Sequence, residues 1–103
     1  MKMAEEFEVN NIDEFEEILN RKDIRVSKAI TNTILNNLKG RKRHLHALSV
    51  FCKSEGEIYD ISVDRKDFIN TLEIHLPNFE KNEMYEECAK IIEAIEYLKS
   101  KPK

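Results

Sequence analysis

The sequence predicts a single α+β domain with the element order α-α-β-β-α-α. Four segments show apolar residues at helical spacing, and between the second and third the period changes to two over residues 43–63. The chain has 103 residues but only two glycines and two prolines, too few for the many tight turns of an all-β fold. This length corresponds to one domain built around one hydrophobic core.

The N-terminal part is expected to hold an acidic arm and a first helix. Residues 1–9 form the arm, with its apolar residues touching the body of the protein. Asn11 stands where a helix N-cap is expected, and Glu14 occupies the capping-box position three residues later. The spacing then predicts a helix over about residues 12–21, whose apolar face consists of Ile12, Phe15, Ile18 and Leu19.

A second helix and a β-hairpin are expected next. The helix is predicted from about Val26 to Lys39, with Gly40 as the residue that ends it. A strand follows in which His44, His46, Leu48, Val50 and Cys52 share one face, and Leu45, Ala47, Ser49 and Phe51 share the other. A turn at residues 54–56 and a return strand over about residues 57–63 complete the hairpin.

Two helices are expected to close the chain. Asp64 is positioned to cap the third, which Pro77 should end or kink near Leu76 because proline lacks the N–H that the helix needs. Asn82 is positioned to cap the last helix, over about residues 83–99. Residues 100–103 are predicted to be a frayed tail.

Charge is distributed unevenly along the chain. No acidic residue occurs from Ile24 to Ser54, a window with seven Lys and Arg, whereas residues 1–23 hold eight acids against three bases. A net charge of −3 therefore conceals a local charge of +7, which a negatively charged partner would meet first. The window predicts a phosphate-binding surface for nucleic acid with Phe51 or Tyr59 available for base stacking, built from Lys39, Arg41, Lys42, Arg43 and Lys53 and extended by Arg25 and Lys28. The alternative is that these cations pair with acids of the first and last helices, either of the same domain or of a partner copy.

The hairpin predicts self-association. If one of its faces packs on the helices, the apolar residues Leu45, Ala47, Phe51 and Ile58 remain on the other, a patch that monomers seldom expose. A two-stranded hairpin also leaves two open edges. Pairing of two copies would remove both features, so a homodimer is expected, unless the first helix covers this face.

Catalytic and metal-binding patterns are weak. His44 and His46 would lie about 6.5–7 Å apart on one strand face, and with His75 or Cys52 they could hold a metal, yet no further ligand pattern completes a site. Cys52 and Cys88 read as small core residues rather than nucleophiles, and no phosphate-binding glycine loop occurs. The sequence therefore predicts no enzyme activity, no cofactor and no metal.

The location expected for the chain is the cytoplasm. No segment approaches the ~20 consecutive apolar residues of a membrane span. The N-terminus turns acidic at once and lacks the apolar region of a signal peptide. Two widely spaced cysteines are typical of reduced thiols.

The last predicted helix contains Tyr85-Glu86 followed by Cys88-Ala89. This pattern resembles the UVR motif of the B and C subunits of bacterial nucleotide-excision repair, in which an aromatic–acid pair precedes two small residues. The motif's usual Arg-Asp is replaced here by Ile92-Glu93. The resemblance implies a helical hairpin that docks onto another protein or another copy.

The whole chain more loosely resembles small proteins of T4-like phages and marine metagenomes. That resemblance implies no activity.

The sequence favours two functions and leaves a third open, a metal-dependent nuclease built on His44 and His46. The first is a cytoplasmic protein-interaction module that self-associates and has no catalytic activity. The second is a small nucleic-acid-binding regulator that uses the acid-free segment 24–54.

Overall fold

A computed structural model describes residues 5–20 and 23–100, which form a mixed α+β domain, as predicted. These residues contain a three-stranded sheet, four α-helices and a short 3₁₀ turn at Arg65–Asp67. The strands are β1 (Glu5–Val9), β2 (His44–Cys52) and β3 (Glu57–Asp64). The helices are α1 (Ile12–Asn20), α2 (Ile24–Leu35), α3 (Phe68–Lys81) and α4 (Tyr85–Ser100). Of the predicted frayed tail, residues 101–103 lie outside the described residues.

The predicted acidic arm contains a strand, and this corrects the element order to β-α-α-β-β-α-α. Strand β1 pairs in parallel with β2, from Glu5 opposite Leu48 to Val9 opposite Cys52. Val9 is buried in the core and Phe7 packs beside it, so both touch the body of the protein as expected. Phe7 and Val9 alternate with acidic residues, which is the period of two expected of a strand, but the run is too short to distinguish a strand from an irregular arm. The hairpin is therefore not alone, and β2 is the central strand of the sheet.

A β-bulge in β2 corrects the predicted assignment of faces. Strands β2 and β3 are antiparallel, but the register shifts between His46 and Leu48, which leaves Ala47 as an extra residue. Beyond the bulge the alternation changes phase. Leu45 and Ala47 are consequently buried on the same side as the later core residues Leu48, Val50 and Cys52.

Helix α2 ends earlier than the spacing predicted. Asp23 caps its start by accepting a hydrogen bond from the backbone N–H of Arg25, and Asn36 is its C-cap. The side chain of Asn37 donates to the carbonyl of Thr33 at 2.7 Å, a local bond that competes with further helix. Residues 36–43 therefore form a loop before β2.

Helix α3 continues through Pro77 for a further turn, so it does not end near Leu76, which was one of the two outcomes expected at this proline. Phe79, in that turn, is 1% exposed, and its burial in the core holds the turn in place. Asn82 is the C-cap of α3 rather than the N-cap of α4: its side chain donates to the carbonyl of Asn78 at 2.7 Å. The predicted cap at Asn11 is confirmed, since its side chain accepts from the N–H of Glu14 at 2.9 Å.

The helices cover one face of the sheet only. Helix α1 contacts β1 and β2, while α2 contacts β2 on one side and α3 on the other. One buried cluster lies between the sheet and α1–α2. A second lies among α2, α3 and α4 and includes Leu45 and Val63 of the hairpin, and Ile30 packs against both clusters. Helix α2 thus joins the two halves of the core. No described helix is long and apolar enough to cross a lipid bilayer.

Candidate functional site

The cationic residues predicted to bind nucleic acid are brought together in the loop before β2. Lys39, Arg41, Lys42 and Arg43 fall within five positions, and all four are exposed. We call residues 39–43 the cationic loop. Gly40, the one residue of this stretch without a positive charge, separates the first lysine from the other three cations.

Arg65 holds the backbone of this loop. Its Nη1 donates to the carbonyl of Asn37 at 2.9 Å, and its Nε donates to the carbonyl of Lys42 at 2.6 Å. The Arg65 guanidinium also lies 4.9 Å from the ring centroid of Phe68, a cation–π contact. A Cβ at Gly40 would lie 3.2 Å from Arg65 Nη2, so glycine permits this close approach. Arg65 could not be predicted as a functional residue, because a single arginine after a strand carries no sequence pattern.

The four cations of the loop form no ion pair with any residue that the structure describes. Other basic residues of the acid-free segment behave differently. Arg25 is paired with Asp23 at 3.0 Å, and Lys53 with Glu8 at 3.6 Å. The internal pairing that the sequence left open therefore applies to Arg25 and Lys53 but not to the cationic loop. Lys28 is exposed on α2.

Neither predicted stacking partner lies beside the cationic loop. Phe51 pairs with Ile58 near the hairpin turn, at the opposite end of β2 from the cationic loop. At roughly 3.3 Å per residue along the strand, the separation is about 25 Å. Tyr59 lies on the helix-covered face, where its ring stacks against Phe15 with the centroids 6.2 Å apart. The structure thus separates the expected aromatic residues from the cations.

The uncovered sheet face carries a polar cluster. Ser49 donates to Asp60 at 2.7 Å, and its Oγ lies 2.8 Å from Nε2 of His46. His44 pairs with Asp64 one step along the sheet. In a nucleophilic triad the histidine joins serine and aspartate through its two different nitrogens. Here the same nitrogen of His46 faces both, at 2.8 Å and 3.4 Å, so the cluster lacks that relay.

The possible metal ligands are dispersed. His44 and His46 do share the uncovered face, but Cys52 is buried on the opposite face, and Nδ1 of His75 bonds to Ser27 on α2. Within residues 5–20 and 23–100, no group of three His, Cys, Asp or Glu side chains is placed to hold a metal ion. Burial raises the pKa of the Cys88 thiol, and the charges of Glu80 and Glu87 add to that effect.

The predicted self-association patch is divided. Leu45 and Ala47 are buried in the core of their own chain, whereas Phe51 and Ile58 are 36% and 65% exposed. These two residues are cross-strand neighbours on the uncovered face. Strand β3 lies at the edge of the sheet, so an open edge runs beside Ile58.

The segment that resembles the UVR motif lies at the start of α4. Helices α3 and α4 pack together as a helical hairpin. Tyr85 and Glu86 are exposed, Cys88 is buried in the core and Ala89 is exposed. Of the two small residues, Cys88 is therefore the one that faces the core.

Comparison with protein-family models, with curated proteins and with solved structures finds no match for this chain.

Proposed function

We propose that this protein is a small, non-catalytic binding module of the cytoplasm that holds the phosphate backbone of a nucleic acid with its cationic loop. The observation that carries the proposal is the exposure of four cations that have no acidic partner among the described residues. Lysine and arginine neutralise phosphates and release the counterions that surround a nucleic acid. The loop supplies these charges on a backbone that Arg65 holds in place.

The proposal has a quantitative consequence. Four phosphate contacts on a single strand, at a slope of about 0.7 each, lower the affinity about 50-fold between 50 and 200 mM salt. Three of the four charges come from consecutive residues, which suits a run of adjacent phosphates. The chain as a whole is acidic, with a net charge of −3, so binding depends on this local surface rather than on the average charge.

The test is a titration of labelled RNA and DNA oligonucleotides with the triple variant Arg41→Ala, Lys42→Ala, Arg43→Ala. The control is Lys53→Ala, Lys81→Ala, Lys99→Ala, which removes the same charge from three exposed positions outside the loop. We expect the loop variant to bind more weakly for every sequence and to show a flatter salt dependence, by about three phosphate contacts. The control should retain most of the affinity.

Two results would contradict the proposal. One is the absence of binding to any oligonucleotide at about 50 mM salt, where phosphate contacts are strongest. The other is an equal loss of affinity in the two triple variants, because binding would then follow net charge rather than the loop. Circular dichroism of each variant checks that the fold is retained.

A second candidate function is self-association through the edge of the sheet. It is supported by the exposed pair Phe51 and Ile58 beside the open edge of β3. The test is light scattering during gel filtration of the chain and of Ile58→Lys, with Ile74→Lys on α3 as a control at another exposed isoleucine. We expect a dimer that Ile58→Lys alone converts to monomer. A strictly monomeric protein at tens of micromolar would contradict this function.

A further inference from the structure

A groove lies next to the cationic loop, between the end of α2 and the second half of α4. Its volume is about 360 Å³. Leu35, Leu38 and Ala94 form apolar parts of its wall, and Tyr97 contributes an aromatic ring. A groove of this size is large enough for a flat heterocycle but small for a folded peptide element.

Three charged side chains also line the groove. Lys39 belongs to the cationic loop, so the groove and the loop form one continuous surface. Lys90 and Glu93 come from α4 and are exposed. None of the three forms an ion pair with a described residue, so all are available to a ligand.

We propose that this groove receives an unpaired base of a single-stranded nucleic acid. The inference rests on the proposed function, because the cationic loop would hold the phosphates on either side of that base. It names the ligand class more narrowly: a single strand, whose bases can turn out of a stack, rather than a duplex, whose bases are already paired.

Each part of the groove suits one part of a nucleotide. The Tyr97 ring offers a stacking surface, and such stacking typically changes affinity about tenfold per base. Lys39 and Lys90 carry the positive charges that adjacent phosphates require. Glu93 is an acceptor for the exocyclic amino group of cytosine or adenine, whereas the O4 oxygen of uracil or thymine would face it unfavourably. The groove is therefore expected to favour bases that carry an amino group.

The experiment compares three ten-nucleotide probes, of which the two single strands have the same phosphate content and the duplex has twice as much. They are a single strand, the corresponding duplex and a single strand in which every base is replaced by an abasic site. We expect the single strand to bind about tenfold tighter than either of the other two. An oligo(dC) or oligo(dA) strand should bind several-fold tighter than oligo(dT), and Glu93→Gln should reduce that preference.

Variants at two tyrosines of α4 test the groove itself. Tyr97→Leu removes the ring from the groove, while Tyr97→Phe retains it and should bind like the parent chain. Tyr85→Leu is the matched control, because Tyr85 is 65% exposed and does not line the groove. We expect only Tyr97→Leu to lose the preference for single strands. If Tyr97→Leu fails to fold, the abasic probe and Tyr97→Phe still test the proposal.

The outcomes separate this inference from the proposed function. Equal binding of all three probes, with loss of binding in the triple loop variant, would overturn the groove and leave the phosphate-binding loop in place. No binding of any probe would overturn both. If Tyr97→Leu instead converts a dimer to a monomer, a second copy occupies the groove and the inference is wrong.

Discussion

Arg65 donates a hydrogen bond from Nη1 to the backbone carbonyl of Asn37, 2.9 Å away. The two residues are 28 positions apart in the chain, and their contact fixes the start of the loop that carries the cations. Arg65 itself makes no ion pair with the described residues. It supports the backbone of the cationic loop, whose four cations remain available to a negatively charged ligand.

We expect Arg65→Met to loosen the cationic loop. The change removes two charge-assisted hydrogen bonds to backbone carbonyls and the contact with Phe68, at a cost of about 2 kcal/mol in the free energy of unfolding. Affinity for oligonucleotides should also fall, although no cation of the loop is altered. Urea unfolding measures the first effect and a binding titration the second. Lys66→Met, at the exposed neighbouring residue, should change neither property by much, and an effect as large as that of Arg65→Met would contradict the support role.

A buried polar contact between α2 and α3 makes a second prediction. The hydroxyl of Ser27, which is fully buried, accepts from Nδ2 of Asn78 at 2.9 Å and bonds to Nδ1 of His75 at 2.8 Å. Ser27→Ala leaves these groups without that partner and should lower the free energy of unfolding by about 1–2 kcal/mol.

Thr31, one turn further along α2, is the matched control for Ser27. It is 2% exposed, and its Oγ1 has no hydrogen-bond partner among the described residues. Thr31→Val removes an unsatisfied hydroxyl and keeps the shape, so it should raise the free energy of unfolding by about 1 kcal/mol. Thermal unfolding of the two variants checks the opposite signs; destabilisation by both would contradict this account.

The turn between α3 and α4 contains one position, Glu83, at which glycine should stabilise the fold. Glu83 has φ of 57°, a left-handed conformation that costs a residue with a Cβ about 1 kcal/mol. The turn is closed by hydrogen bonds from the N–H of Glu83 to the carbonyl of Glu80 and from the N–H of Met84 to that of Phe79, the Schellman pattern.

Glu83→Gly should therefore raise the free energy of unfolding by about 0.5–1 kcal/mol, as measured by chemical denaturation. The control is Glu86→Gly in the first turn of α4, where the backbone is helical and glycine should instead destabilise by a similar amount. Destabilisation by Glu83→Gly would show that the side chain matters more than the backbone conformation.

Tyr59 is predicted to ionise at a higher pH than an ordinary tyrosine side chain. Its hydroxyl donates to Oε1 of Glu55 at 2.5 Å, and this hydrogen bond is the main cause that raises the pKa of Tyr59 from 10.0 to about 12. Because the pKa is raised in the folded state, the contact stabilises the fold fully below pH 10.0 and loses its effect as the pH rises through 12. Carbon-13 NMR of the Tyr59 ring follows the ionisation directly.

Glu55→Ala should return the pKa of Tyr59 toward 10.0. Glu57→Ala is the control, since Glu57 acts on Tyr59 through charge alone and raises its pKa less than Glu55 does. A Tyr59 that already ionises near pH 10 in the parent chain would contradict the contact.

Several features of the fold follow from short stretches of sequence. The cap at Asn11 needs only the neighbouring N–H of Glu14, and the hairpin needs only a period of two on both sides of a polar turn. An end of α3 near Leu76 was one of the two outcomes expected at Pro77, and it does not occur because the local cost of Pro77 is smaller than the benefit of burying Phe79. Strand β1 was missed because its pairing partner lies some forty residues away and its alternation of acidic and apolar residues is short.

The candidate site likewise combines features that are visible in the sequence with features that depend on the fold. The sequence alone located four clustered cations and an acid-free window around them. It could not show that Lys53 is paired with Glu8 while the cationic loop forms no ion pair with the described residues, because ion pairs depend on which acids the fold brings near. Nor could it show the groove at Tyr97, which is formed by side chains of α2 and α4 more than fifty residues apart.

The α+β class, the hairpin, most helices and the position of the positive charge could be predicted from the sequence, because each depends on residues close together in the chain. The covered sheet face, the break in alternation at Ala47 and the exposure of particular cations became visible only in the folded chain. The physical reason is that burial and charge pairing depend on distance in space, and distant segments such as β1 and β2, or α2 and α4, become neighbours only when the chain has folded.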